Sequence, residues 1–194
     1  MNRDFDESEI NFLIDILSSK GITYLIGSNP SLLQDISIEP VDLIIRLATC
    51  GYPLLENACI SLFILHPDFA SSIITALQTS EADIAENIVV VTLAALYLQQ
   101  WWLFRLTFAL GQLPSFPEAP FAFLWQERHL PAPADGNGRE GLLALQEYQQ
   151  QRYGLLLNFL DDWQNQINHL LAQAEVQLRP LPDDVKQTLL KFSA

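Results

Sequence analysis

A thiol and an imidazole can serve as nucleophile and base, and the chain offers Cys50, Cys59 and His66 close together in sequence. On one helix Cys59 and His66 share a face, but two turns, about 10 Å, separate them, too far for a hydrogen bond. Cys59 lies in the apolar run NACISLFIL with no cation to stabilise a thiolate, so it reads as a small core residue. His66-Pro67-Asp68 reads as a helix end followed by a helix start. Two cysteines without a CxxC make no disulfide framework and point to a reducing, cytoplasmic setting. His129 and His169 stand apart, and no HExxH, Glu-x-x-His pair or EF-hand loop occurs, so no metal is expected. Eight scattered glycines form neither a P-loop nor a dinucleotide-binding turn, and no cofactor is expected. Asp161-Asp162 beside Trp163 reads as a solvated helix face. No catalytic residue emerges.

Ile26-Gly27-Ser28 is followed, after thirteen residues, by Asp42-Leu43-Ile44. With ITYLIG ahead of it, the pattern over residues 6–46 resembles the opening of the polymerase-β-like nucleotidyltransferases. That family sets an Asp-x-Asp or Asp-x-Glu pair there to hold its catalytic metals, and two-metal catalysis needs both carboxylates. Ile44 occupies the second position, so the resemblance implies a degenerate relative lacking the second metal-binding acid. The run after Pro40 also reads as a proline-started helix and not a strand.

Arg105 is the one charge inside the long apolar stretch 88–110. On a continuous helix Tyr97, Trp101, Arg105 and Phe108 share one side, which predicts a buried, paired arginine stacked on Trp101. Trp101, Trp102, Arg105 and Trp125 would then line a small-molecule pocket, an alternative function for the chain.

The elements that must position these residues read as all-α. Asp6 with Glu9 predicts a capped first helix ending at Gly21, and ITYLIG a strand or extended link. Ser28-Asn29-Pro30 predicts a short helix. Pro40 and Pro53 open two more, Asp68 caps another, and Ser80 with Asp83 caps the apolar helix. Residues 88–110 lack a polar stripe and must be covered all round. They are long enough to cross a bilayer, but Gln99 and Gln100 at the centre and Arg105 near the end oppose it, so a central core helix is preferred. Residues 112–139 form a proline-rich aromatic strap around FAFLWQERHL, with DGNG at 135–138 as its flexible tip.

From residue 139 to 178 a long helix is expected, straight or kinked near Gly154. Leu156, Leu160, Trp163, Ile167 and Leu170 recur at steps of four and three, the spacing of an interaction seam. A short helix, DDVKQTLLKF, follows Pro180 and Pro182. The segments 1–111, 112–139 and 140–194 together predict an irregular helical bundle of about seven or eight helices, with a central apolar helix and a long C-terminal one.

The net charge of −13 is uneven, −10 up to Val90 and −3 after it. Such a surface repels phosphate backbones and suits a basic protein. The expectation is a non-catalytic protein–protein interaction module, partnered by a basic protein in the manner of an antitoxin or adaptor, or by a second copy through the seam.

Overall fold

The computed structural model describes residues 7–25, 38–111, 115–154 and 157–178. Among them are nine α-helices and no strand. The calls on Asp6, Gly27, Ser28-Asn29-Pro30, Leu156 and the closing DDVKQTLLKF fall outside the described residues.

Proline at the first helical position lacks only a donor that the helix would leave unpaired, and its φ is already helical. Pro40 and Pro53 accordingly open α2 (Pro40–Thr49) and α3 (Pro53–Leu65), with neither start carrying a side-chain cap. α1 (Glu7–Ser19) precedes them and is followed by Gly21 at φ 85°. Residues 22–25 then run on without helix or strand, with Ile22 and Leu25 buried. Asp68 does not cap the fourth helix. A 3-10 turn, Pro67–Phe69, leads instead into α4 (Ala70–Thr79).

The apolar stretch is two helices, not one. α5 (Ala82–Trp101) starts after Glu81, without the expected Ser80 cap, and stops where Trp102 adopts φ −103°, ψ 16°. α6 (Leu103–Leu110) then runs to Gly111 in the left-handed region. All of residues 88–99 are buried, packed by α2, α3, α4, α8 (Arg139–Tyr153) and α9 (Phe159–Leu178). α5 is long and apolar enough to cross a membrane, and 67% of its most apolar window is buried within this fold. Neighbouring helices thus provide the cover that its missing polar stripe demands.

The expected long C-terminal helix is likewise broken. Gly154, at φ 64°, ends α8, and α9 begins at Phe159 as a separate helix. That φ costs glycine little and most residues much. α9 folds back onto the bundle against α3, α5, α6 and α8.

The aromatic strap packs down as expected. A 3-10 turn at Ala119–Phe121 and α7 (Ala122–Glu127) bury Phe121, Leu124 and Trp125, while Phe116 inserts upstream of them. Its tip is not a free loop. Gly138 is buried, and a Cβ there would meet the Tyr97 carbonyl oxygen at 2.1 Å. One on Gly141 would meet the Tyr97 ring at 2.1 Å. Both glycines let the strap and α8 close directly onto α5.

Glutamine amides tie the irregular segments to the helices. The buried Gln99 donates to the Phe116 carbonyl (3.1 Å) and accepts from the Phe116 N–H (3.0 Å). Gln173 does the same for the extended segment after α1, donating to the Gly21 carbonyl (2.5 Å) and accepting from Thr23 N–H (3.0 Å). Gln146 accepts from the Leu160 N–H in the first turn of α9, and Gln150 donates to the Leu157 carbonyl. Each side chain meets backbone groups that no regular element satisfies. Apolar residues from all three sequence segments join one core cluster.

Candidate interaction surface

α6 leaves one apolar residue open to solvent and covers most of the others only in part. Of LFRLTFAL only Leu106 is buried. Phe104 is 88% exposed, far above any other large hydrophobic among the described residues. Beside it, Trp101 and Trp102 are half-buried, their rings tilted at 48° with centroids 5.8 Å apart. Arg105 is exposed, its guanidinium carbon 5.1 Å from the centre of the Trp102 ring.

The break at Trp102 explains the departure from expectation. A continuous helix would stack Arg105 on Trp101 one turn back. The non-helical Trp102 turns α6 and brings its own ring under the guanidinium instead. Arg105 is exposed and pairs with no acid among the described residues, and its planar head extends the aromatic face. The Trp102 Nε1 is buried without a hydrogen-bond partner among the described residues.

Of the four residues predicted to line one pocket, Arg105 is exposed, Trp101 and Trp102 are half-buried and Trp125 is buried. Trp125 lies in the buried face of α7, and none of the four lines either of the two described cavities. Sequence reasoning passed over Phe104. No sequence signal marks it, since the equally apolar run 88–99 on α5 is buried throughout.

The seam residues lie elsewhere. Trp163, Ile167 and Leu170 are buried in the chain's own core, and Leu160 is half-buried at its edge. The stripe expected to be open for a second copy is covered at those three positions by the fold itself.

No nucleophilic or metal constellation forms among the described residues. Cys59 is fully buried, and burial pushes its thiol far up, while Cys50, half-buried, is raised for the same reason. His66 bonds through Nε2 to the Lys20 carbonyl at 2.7 Å, and His169 stacks on Tyr24 with centroids 4.6 Å apart. No group of three His, Cys, Asp or Glu side chains converges to hold a metal ion. Asp42 stands in the first turn of α2, a helix, and the described residues contain no strand to carry nucleotidyltransferase acids.

The best-formed polar network is structural. Arg128 donates through Nε and Nη2 to the two oxygens of Glu86 (3.1 and 2.5 Å), and Tyr148 donates to the same carboxylate at 2.8 Å. Burial pushes the Glu86 carboxyl up, but the bonds from Arg128 and Tyr148 and the Arg128 charge outweigh it and hold it below the usual range. The cluster joins α5, α8 and the turn after α7. Arg152 extends it, donating to the Asn87 amide oxygen at 3.3 Å.

No protein-family model, curated protein or solved structure matches this chain.

Proposed function

We propose that the chain is a non-catalytic helical interaction module that docks a basic protein through α6. The observation that carries this reading is Phe104, 88% exposed, beside Trp101, Trp102 and Arg105. Tryptophan and arginine are over-represented among residues that dominate protein interfaces, and a contiguous exposed apolar patch is uncommon on a chain that works alone. The patch sits in a long stretch without a carboxylate, 87–117, on a chain of net charge −13. Long-range attraction then favours a basic partner, and the apolar patch supplies the short-range anchor. Arg105, spread over the Trp102 ring, adds contact area without demanding an acid opposite it.

The test is cross-linking from cells, identification of the captured protein, and reconstitution with purified components. The expected partner is basic, binds more weakly as salt rises, and loses at least about tenfold in affinity with Phe104→Asp. Circular dichroism of the variant should match that of the wild type, because Phe104 is 88% exposed. Light scattering and flotation with zwitterionic vesicles check the other occupants. Dimers or vesicle binding that Phe104→Asp abolishes would replace the basic partner with a second copy or a lipid surface. Partners indifferent to Phe104 would overturn the docking role of α6.

A further inference from the structure

At the C-terminal end of α6, the ends of α1 and α3 meet α9 around a cavity of about 280 Å³. Leu65, Leu110 and Leu170 give it apolar walls, and Lys20, His66 and Gln173 give it a polar side. Two of the polar groups are already spent. His66 donates through Nε2 to the Lys20 carbonyl at 2.7 Å, and the Gln173 amide bonds to Gly21 and Thr23. These ties fix the mouth of the cavity. They also satisfy the Lys20 and Gly21 carbonyls after α1, whose partial negative charge would otherwise oppose an anion.

The Lys20 ammonium is different. It is half-buried and pairs with no acid among the described residues. The Phe69 ring centre lies 6.0 Å from Nζ, a weak contact that leaves all three N–H donors for an anion. Arg46, Arg128 and Arg152, by contrast, each face a carboxylate. A half-buried cation beside apolar walls is best matched by an anion that brings its own hydrocarbon. A single lysine balances a single negative charge. The helix ends at this cavity are C-termini and not the N-termini that cradle phosphate. We propose that the cavity binds a free aliphatic monocarboxylate, its head on Lys20 and its tail along Leu65, Leu110 and Leu170. The volume lies at the small end of ligand sites, so a medium-length tail fits and a long one overruns it. On a chain of net charge −13 the overall field repels anions, so most of the affinity must come from the tail.

Calorimetric titration of the full-length chain with octanoate tests the site. Saturable binding is expected, with the neutral octanamide at least about tenfold weaker. From hexanoate upward each added methylene should strengthen binding roughly threefold until the tail fills the cavity, and then the gain should stop. Lys20→Met, which keeps the stem and loses the charge, should weaken octanoate at least about tenfold and leave octanamide and the circular dichroism spectrum unchanged. Lys20→Arg should retain binding. Ala109→Phe, which fills the cavity from α6, should block both ligands. No saturable binding, octanamide as tight as octanoate, a gain that continues with every added methylene, or indifference to Lys20→Met would overturn the proposal. Phe104→Asp should not alter these titrations, so this site and the α6 surface stand or fall separately. Loss of octanoate binding in that variant would assign the acid to the α6 surface and not to the cavity.

Discussion

Glu86 accepts from both Arg128 and Tyr148, and its carboxyl is held below the usual range by partners that an unfolded chain would lack. A carboxyl lowered on folding adds stability above its unfolded value, and that stability is lost as pH falls through the folded one. Glu86→Gln should therefore flatten the acid limb of the stability curve, below about pH 4.5, in urea denaturation read at several pH values. An acid limb unchanged by the substitution would assign it to other carboxylates. Tyr24 marks the opposite limb. Burial pushes its hydroxyl up to about 12, so the stability it supports is present below pH 10 and fades above it. Sequence reasoning correctly treated Cys59 as buried, because an apolar run around a thiol already implies it. Neither Glu86 nor the tying glutamines were legible there. Their partners lie 7 to 152 positions away, and a polar residue in a helical pattern looks the same whether it faces water or clamps another segment.

At the scale of the elements, the starts of α2 and α3 were readable and the breaks were only partly so. Pro40 and Pro53 act locally, through φ and a missing donor. Gly154 was a visible weak point, and its left-handed φ confirms a break there, but the Leu and Trp periodicity runs straight through it and masks the turn. Trp102 gave no warning, being neither glycine nor proline. What distinguishes it is tertiary, since α5 is enclosed through Gln99 and α6 turns where that enclosure ends. The strap depends on the same point. Gln99→Leu would strand the buried N–H and C=O of Phe116, at about 1–3 kcal/mol for each unpaired group. Urea denaturation should show that loss, and limited proteolysis should cut near 115–121 faster than in the wild type. Unchanged cleavage would mean that Phe116, Phe121 and Trp125 hold the strap by packing alone.

For the whole molecule, an all-α fold with α5 at its centre was legible because an apolar helix without a polar stripe admits few surroundings. The surface was not, since exposure of Phe104 follows from how α6 leaves the bundle and not from its composition. The placement of α9 carries a further consequence, for how the chain is made. Gln173 and Gln166, on the last described helix, bond to Thr23 and Tyr24 across 150 and 142 residues, and α9 also packs on α3. A chain emerging from the ribosome therefore displays α1 to α8 with one side of the core bare until α9 is synthesised. Contacts of such separation form late and slowly. A chain stopped after Tyr153 should bind a hydrophobic dye strongly and precipitate readily, while the full-length chain should do neither. If the shortened chain stayed soluble and dark to the dye, the first eight helices would close on their own. Otherwise nascent copies carry an aggregation-prone face until α9 has been made, and folding is committed only then.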